Sequence, residues 1–321
     1  MPEPQEVPAL TPSASVIVPS YRGEARLPVL LGGLAQQDTM DFEVVVVIDG
    51  EVDASAAVLA DLGESTGLDL DVIVFPSNRG RVAALNAGHA AARGEVLIRC
   101  DDDLLPEPDF VSGHVARHAH HGPRGVVALA NDVMPDSPYA RAYGVRSMDH
   151  LIASAYAGDI EPWRLWSANC SLTRGTWEQV GEYSQEYAHY GMEDTDYGYR
   201  LHQAGIPLVI APELQVAHLG APTSTHDRVM RAFHSGASRR TFEVRHGSAL
   251  SLPSAGTGPW GRLVDGLSRA GDESRYERAT RAVDRLLPYV PRYVAEKLVA
   301  LCVESASLAG YRHAQDVTAS F

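Results

Sequence analysis

Two clusters of carboxylates carry the residue types most suited to chemistry in this chain. Asp101, Asp102 and Asp103 directly follow the apolar run 95–100, and Glu193 and Asp194 open a helix-like stretch further on. Like charges packed this closely repel unless a cation or hydrogen-bond donors lie among them. A divalent metal holding a diphosphate fits the first cluster, because hard cations choose oxygen ligands. The second cluster can supply a base for a reaction at the far end of that diphosphate.

Before the triplet, β-branched runs alternate with Ala- and Leu-rich stretches. The predicted strands are 15–19, 43–48, 71–75 and 95–100, and the predicted helices lie near 24–37, 53–63 and 80–92. Continuous Val and Ile runs suit strands that are covered on both faces. The succession predicts a Rossmann-like α/β half, whose ligands bind at the carboxyl ends of the strands.

Each of these strands ends in polar or turn-forming residues. The ends are 19–22 (Pro-Ser-Tyr-Arg), 49–50 (Asp-Gly), 76–80 (Pro-Ser-Asn-Arg-Gly) and the acidic triplet. Four such ends at one edge of a sheet form a binding site. The chain contains neither G-x-G-x-x-G nor G-x-x-x-x-G-K-[ST], which disfavours a dinucleotide fold or a P-loop.

The regularity fades after the triplet, where helices and short strands are mixed. We expect helices near 108–121 and 139–157, a helix that begins at about 175, and a helix over 193–204. We expect strands near 125–130 and 167–172, and a final strand pair at 207–211 and 214–218. The histidines at 114, 118, 120 and 121 are interpreted as a solvated helix face. Metal binding there is a less favoured interpretation.

The last hundred residues differ in composition. A Ser/Gly/Pro-rich linker at 248–259 precedes a strongly helical stretch over 260–313. We interpret 221–321 as a helical C-terminal extension that packs on the core or on a second copy of the chain, giving a homo-oligomer. Membrane-surface binding is less favoured, because Asp284, Glu296 and Glu304 dilute a basic face. The Pro-rich, acidic residues 1–14 predict a disordered leader rather than a secretion signal.

Composition excludes several classes of protein. The 321 residues are 45% hydrophobic and 21% charged, which is ordinary for a globular protein. The net charge of -14 argues against a general nucleic-acid binder. The three cysteines are widely spaced, and no apolar run is long enough to span a membrane. Together these features predict a cytoplasmic protein without a transmembrane segment.

Several motifs, in order, resemble family 2 glycosyltransferases with the GT-A fold. They are VIVPSYR, the turn at 78–80 leading into AALNAG, DDDLLPEPDF and GMEDTDYGYRL. The likeness is to transferase domains of hyaluronan- and chondroitin-polymerase type, with a galactosyltransferase-like C-terminal motif. It spans about 15–220, and implies a mixed central sheet with a nucleotide-sugar half (15–105) and an acceptor half (106–220).

The resemblance implies a donor site for a UDP-sugar with Mn²⁺ or Mg²⁺. Pro19, Tyr21 and Arg22 would border the base, Asp49 would accept a hydrogen bond from uracil, and Asn78 and Arg79 would line the pocket. Asp101 and Asp103 match the ends of the D-x-D motif, Asp103 as a direct metal ligand and Asp101 near ribose and metal. Asp102 holds the variable position within this nucleotide-binding set. His218 would be a further metal ligand.

The resemblance also implies an inverting, hexosyl-type transfer to a carbohydrate or small-molecule acceptor. Asp194 would be the base, and Glu193 would bind the acceptor or hold Asp194 in place. Trp166, Asn169 and Tyr190 would face the acceptor. The family's Gly-Gly-Glu-Asp is Gly-Met-Glu-Asp here, at 191–194. Structural roles stay open: Asp49 and Asn78 as turn residues, Trp166 in the core, and the acid pair as a helix cap.

Two other functions stay open from the residues alone. A sugar-1-phosphate nucleotidyltransferase shares a related fold and metal-binding carboxylates, but it would carry a Gly-rich basic loop after its first strand. A non-catalytic sugar-binding module leaves both acidic clusters unexplained. We therefore favour the metal-dependent glycosyltransferase.

Overall fold

The computed structural model describes residues 11–187, 190–250 and 254–317. Contacts divide the chain into two units. The first unit comprises the chain up to Ala128, Ala168–Glu182 and Ile206–Leu214, and the second comprises Leu129–Ser167, Tyr183–Gly205 and the chain from Gln215. Most of the predicted leader lies outside the described residues. The predicted functional boundaries at 105 and 220 stay predictions.

Ten strands and eleven helices make up the described part of the chain. The strands are β1 (Ala14–Ser20), β2 (Phe42–Ile48), β3 (Asp69–Val74), β4 (Val96–Cys100), β5 (Leu104–Leu105), β6 (Gly125–Val127), β7 (Ala130–Asp132), β8 (Asn169–Thr173), β9 (Leu208–Ile210) and β10 (Val216–His218). The helices are α1 (Leu27–Leu34), α2 (Ser55–Thr66), α3 (Arg81–Ala91), α4 (Phe110–His118), α5 (Val145–Tyr156), α6 (Arg174–Val180), α7 (Glu193–Gln203), α8 (Thr225–His246), α9 (Gly258–Ala270), α10 (Glu273–Leu286) and α11 (Arg292–Arg312).

The first unit is built on a seven-stranded mixed sheet in the order β3-β2-β1-β4-β8-β6-β9. The strands β3, β2, β1 and β4 are parallel, and β8 runs antiparallel to both β4 and β6. Every residue of β1, β2 and β4 is buried, as their continuous apolar runs predict. The Rossmann-like half and the mixed sheet are confirmed, so the carboxyl ends of four parallel strands share one edge.

The strands predicted at 207–211 and 214–218 are both present, as β9 and β10, but they do not pair with each other. Strand β9 joins the large sheet beside β6, whereas β10 pairs with β7 in the second unit. A 3-10 turn at Pro212–Leu214 separates the two strands. Two apolar runs so close in sequence look like a hairpin, but the turn redirects the chain and each strand finds a parallel partner elsewhere.

The second unit is mainly helical. A π-helical turn at Ala140–Gly144 runs into α5, and the core is formed by apolar residues of α8, α10 and α11 with those before α5. The 22-residue α8 lies within the predicted helical extension 221–321, and α9, α10 and α11 occupy the stretch 260–313 that the sequence predicts as strongly helical. No helix among the described residues has both the length and the apolar character needed to cross a membrane.

The crossing of α8 and α11 depends on two glycines that let the backbones approach. A Cβ on Gly236 would overlap the carbonyl of Ser307, and one on Gly310 would overlap the carbonyl of Phe233. Around this crossing Val299 and Ala306 are fully buried. Small residues at a helix crossing allow close packing, which contributes dispersion energy across the whole contact.

The prediction that the histidines at 114, 118, 120 and 121 form a solvated helix face is wrong for His114 and His118, which are buried on α4. His114 donates or accepts hydrogen bonds at both ring nitrogens, to Ser171 and Asn169 of β8, and His118 Nε2 contacts the same Ser171 hydroxyl. Their i, i+4 spacing places both rings on the buried face of α4. Burial lowers the pKa of His114 and of His118 to about 4.

His89 of α3 is a third buried imidazole in the first unit. Its Nδ1 lies 2.7 Å from the Leu85 carbonyl, and its ring stacks on Trp177 at 5.9 Å. Burial lowers the pKa of His89 to about 4. All three rings are therefore neutral in the folded chain at neutral pH.

The glycine crossing leads to a stability prediction. Gly236→Ala should lower the free energy of unfolding by about 1–3 kcal/mol, because the added methyl forces α8 and α11 apart. Gly266→Ala is the matched control, since it lies within α9 with open space at its Cβ. It should be neutral or stabilising by up to about 1 kcal/mol through helix propensity. The melting temperatures of the two variants measure the difference. Equal melting temperatures would contradict the role assigned to Gly236 in the crossing of α8 and α11.

The buried histidines predict acid sensitivity. Each has a folded pKa below its unfolded value near 6.5, so the unfolded chain binds more protons between about pH 6.5 and pH 4. Stability should therefore fall as the pH drops from 7 to 5, by roughly 1–2 kcal/mol for each ring. His89→Phe keeps a ring against Trp177 but cannot titrate, so the melting temperature of this variant should depend less steeply on pH. An unchanged slope would contradict the assignment.

Candidate functional site

Asp49, at the end of β2, organises the loop that follows β3. Its side chain is buried, and its two oxygens accept hydrogen bonds from the backbone nitrogens of Arg79, at 2.6 Å, and Gly80, at 2.9 Å. Gly50 has φ +102°, and a Cβ there would lie 2.8 Å from the Asn78 nitrogen. The pair thus holds residues 78–80 against the edge of the sheet, directly before α3 begins. The contact of Asp49 with uracil stays a prediction.

Asp102 is the most buried member of the acidic triplet and connects two strand ends. It accepts hydrogen bonds from Ser20 Oγ at 2.6 Å, and from Arg26 Nε and Nη2, both at 2.9 Å. Arg26 Nη2 also donates to the Tyr21 carbonyl. Burial raises the pKa of Asp102, and the guanidinium of Arg26 opposes that rise. The arrangement ties the loop after β1 to the end of β4.

Asp101 is compensated by a second arginine. Arg99 of β4, whose side chain is 1% exposed, donates from Nε to Asp101 Oδ1 at 2.8 Å and from Nη2 to Oδ2 at 3.1 Å. Sequence analysis missed both Arg26 and Arg99. Arg99 did leave a signal, because an arginine inside the apolar run 95–100 must find a buried anion.

The remaining predicted donor residues surround this edge. Tyr21 is partly exposed, Arg22 has φ +55° with its guanidinium 5.2 Å from the Tyr21 ring centre, and Arg79 lies over the Phe75 ring at 4.5 Å. Asn78 is exposed, and Pro19 is buried within β1. A positive φ is uncommon at a residue other than glycine. Its presence at Arg22 indicates that packing alone does not set the backbone conformation of the loop after β1.

The carboxylate oxygens of the acidic triplet are the type of ligand that a hard cation prefers, but the triplet alone does not supply as many ligands as such a cation needs. Asp103 is partly exposed at the same turn, while Asp101 and Asp102 already face guanidinium groups. In the described part of the chain, no three His, Cys, Asp or Glu side chains are arranged to hold a metal ion. A Mg²⁺ or Mn²⁺ ion at Asp103 would therefore take further oxygens from phosphates and water, as Mg²⁺ sites commonly do.

His218 lies in the second unit, at the end of β10. Its Nδ1 is 2.6 Å from Asp132 Oδ1, and the two residues are paired in register between β10 and β7. When Nδ1 donates to this carboxylate, a neutral ring carries its lone pair on Nε2. Histidine ligands of metals are commonly oriented in this way by a carboxylate. Asp132 is a residue that sequence analysis missed, and metal binding by His218 stays a prediction.

The predicted acid pair occupies the first turn of α7 in the second unit. Glu193 and Asp196, spaced i, i+3, are buried at 4% and 0% exposure, whereas Asp194 between them is partly exposed. Of the two predicted acids, Asp194 is thus the one that solvent or a ligand can reach. Met192 precedes the helix with φ +75°, in the place of the family's second glycine. A left-handed methionine next to the acids is a strained position.

A glycine in α7 sets the depth at which the helix packs. A Cβ on Gly198 would overlap the carbonyl of Trp163, so α7 lies directly against the 3-10 turn Pro162–Leu165. Tyr197, one residue earlier, stacks on Tyr183 at 4.1 Å and on Trp166 at 5.7 Å. These contacts hold the helix that carries the acids.

The predicted acceptor residues are mostly engaged in packing. Trp166 is 2% exposed and donates from Nε1 to Tyr183 Oη, so the core interpretation accounts for it. Asn169 is fully buried and bonds to His114 and to the Leu214 carbonyl. Tyr190 is partly exposed, with Arg231 over its ring at 5.9 Å. Of the three, Tyr190 has the surroundings that suit an acceptor contact, and all three roles stay predictions.

Comparisons with known proteins point to one family. The model described as "Glycosyl transferase family 2" matches residues 15–142. The chain is similar to validoxylamine A glucosyltransferase of Streptomyces hygroscopicus subsp. limoneus, at 30% identity over 63% of this chain and 50% of that protein. It is also similar to the uncharacterized glycosyltransferase YfnE of Bacillus subtilis, at 26% identity over 66% of each chain. The chain spans about half the length of the first of these relatives.

Solved structures agree on the fold. The mannosyltransferase PcManGT of Pyrobaculum calidifontis, in complex with GDP-Man and Mn²⁺, superposes with a TM-score of 0.66 at 19% identity, covering 97% of this chain and 91% of that one. Residues 1–349 of S. aureus TarS in complex with UDP-GlcNAc superpose with a TM-score of 0.52 at 17% identity, covering 95% and 90%. The narrower likeness to polymerase-type domains stays a prediction. Residues 15–142 therefore match the model of glycosyl transferase family 2, and the chain has the GT-A fold.

Proposed function

We propose that this chain is a metal-dependent, inverting glycosyltransferase that moves a sugar from a UDP-sugar to an acceptor hydroxyl. The observation that carries the proposal is the edge shared by β3, β2, β1 and β4, where Asp49 and the acidic triplet emerge together. Ligands of parallel α/β sheets bind at this edge. The family match favours this function over a nucleotidyltransferase or a sugar-binding module.

The donor is held by the loops that Asp49 and Asp102 organise. Asp49 fixes 78–80, and Asp102 with Arg26 fixes the loop after β1, so exposed Arg22, Asn78 and Arg79 are presented on a rigid base. Pre-organised side chains lose little entropy on binding. In this proposal Tyr21 and Arg22 border the base. UDP is favoured over other nucleotides by the resemblance, and TarS in complex with UDP-GlcNAc supports it.

The chemical step is assigned to Asp194. It removes the proton of the acceptor hydroxyl as that oxygen attacks the anomeric carbon, while the bond from that carbon to the diphosphate breaks. One direct displacement inverts the anomeric centre, and the nucleoside diphosphate leaves with the electron pair. The partial exposure of Asp194 allows an acceptor to come within hydrogen-bond reach, which a general base requires. Glu193, buried on the same turn, would orient it.

A divalent cation would be held by Asp103, with Asp101 nearby and His218 as a further ligand. When bound, such an ion neutralises the charge that develops on the departing diphosphate. PcManGT in complex with GDP-Man and Mn²⁺ supports this part of the proposal. The relatives described as glucosyltransferases support a hexose as the transferred group. A cytoplasmic location and a homo-oligomer through the C-terminal helices stay predictions.

The first test measures donor binding and the base separately. With Mn²⁺ present, UDP should raise the melting temperature and release calorimetric heat, and GDP should do so less. Asp194→Asn should bind UDP as the unchanged chain does, but its transfer rate should fall by about 10²-fold or more, because the carboxylate base is lost. Absence of any UDP effect would overturn the donor assignment. Normal turnover of the variant would overturn the base.

The second test separates the members of the triplet. Asp103→Asn should weaken the Mn²⁺-dependent part of UDP binding by about tenfold and lower the melting temperature less than Asp102→Asn does, because its carboxylate is partly exposed and is assigned to the metal. Asp102→Asn should instead lower the free energy of unfolding by about 1–3 kcal/mol, because Arg26 loses its anion and one of the two acceptor oxygens becomes an NH2 donor. Thermal melts and UDP titrations with and without Mn²⁺ distinguish the two roles. The reverse pattern would contradict the assignment.

A further inference from the structure

Asp196, two residues after the proposed base, is fully buried and held by four side chains. Tyr187 Oη donates to it at 3.0 Å, and His246 Nε2 lies 2.7 Å from the same oxygen, Oδ1. Arg200 Nε donates to Oδ2 at 2.9 Å, and Arg245 Nε lies 3.3 Å from Oδ1. Tyr187 and Arg200 come from the segment around α7 itself. Arg245 and His246 come from the far end of α8, about fifty residues away in sequence.

The four side chains around the buried Asp196 carboxylate fix its position in addition to stabilising its charge. Burying this carboxylate costs desolvation free energy, which the donors offset. Removing any one donor should therefore destabilise the buried carboxylate. These contacts involve both oxygens, which restricts rotation of the carboxylate as well as its position. Asp196 therefore fixes the first turn of α7 in one orientation.

That orientation decides where the proposed base points. Asp196 and Glu193 are spaced i, i+3 and lie on the buried face, and Asp194 is rotated about 200° from Asp196 around the helix. If α7 turned about its axis, Asp194 would move with it. A small displacement of a catalytic group can cost about 10²-fold in rate.

The ring of His246 is itself packed in a group of aromatic side chains. It lies 4.7 Å from the ring of Phe242 and 5.0 Å from that of Tyr199, and Trp163 stacks on Phe242 at 6.5 Å. Two functions of this ring can thus be separated: hydrogen bonding to Asp196 and filling the aromatic group. Different substitutions remove one function and keep the other.

We propose that His246 and Arg245 are positioning residues for the transfer reaction, acting through Asp196 on the orientation of Asp194. This inference rests on the proposed function and deepens it. It makes the end of α8, which lies within the predicted C-terminal extension, a part of the acceptor-side machinery. No contact with substrate is assigned to either residue.

The test compares two substitutions of His246 in the full chain. His246→Gln keeps a nitrogen donor near the position of Nε2 but loses the ring, whereas His246→Phe keeps the ring and loses the donor. We expect kcat to fall about tenfold or more in His246→Phe, with the Kd for UDP unchanged, and to stay within about threefold in His246→Gln. Arg240→Gln, on the same helix but bonded to Glu243 and Tyr311, is the control and should keep full kcat.

The opposite order would overturn the inference. If His246→Gln lost kcat and His246→Phe kept it, the ring would serve packing alone. Hydrogen exchange of the amides at 193–197 supplies a readout that does not depend on activity: it should speed up in His246→Phe and not in His246→Gln. If the unchanged chain transferred no sugar, the proposed function would fail, and the exchange result would still decide whether His246 holds α7. Equal exchange in both variants would refute the positioning role.

Discussion

Charge compensation by arginine is the interaction on which the proposed donor site depends. Three successive aspartates at a strand end would repel one another and resist burial. Arg99 compensates Asp101 from within β4, and Arg26 compensates Asp102 from the start of α1. Each pair is bidentate, which fixes direction as well as charge. The folded chain therefore tolerates the triplet before any metal or nucleotide binds, and Asp103, which is partly exposed, is the member that we propose as a metal ligand.

The same logic of buried carboxylates recurs in the second unit. Asp196 has two arginines, a histidine and a tyrosine around it, and Asp194 beside it is partly exposed. In both places a compensated acid stabilises the local structure, and a partly exposed acid lies within two residues of it. Acids this close in sequence differ in burial because nearby side chains at a strand end or on a helix point in different directions.

Close backbone approach is the second constraint. Gly50, Gly198, Gly236 and Gly310 lie where a methyl group would meet backbone atoms of another segment. Gly50 brings the loop after β2 to residues 77–78, and Gly198 seats α7 against the turn before β8. The other two set the crossing of α8 with α11. Packing at this distance is well defined, because hard backbone atoms rather than flexible side chains form the contact.

The sequence by itself determined the α/β half and the edge of the sheet at which its polar strand ends meet. Continuous apolar runs specify buried parallel strands, and polar residues after each run must then meet at one edge, so the positions of Asp49, Asn78 and the triplet were predictable. The acid pair was also correctly placed at the start of a helix, α7. These are local patterns, and short-range propensity is enough to predict them.

Only the tertiary structure decided which acids are compensated and by what. Arg26 is 76 residues from Asp102 in sequence, and His246 is 50 from Asp196. No local pattern connects such residues, because their pairing follows from the topology of the fold. The histidines of α4 show the same limit: their polarity suggested a solvated face, but Ser171 and Asn169 of β8 give them buried partners. Burial of a polar group depends on donors and acceptors that only the folded chain brings near it.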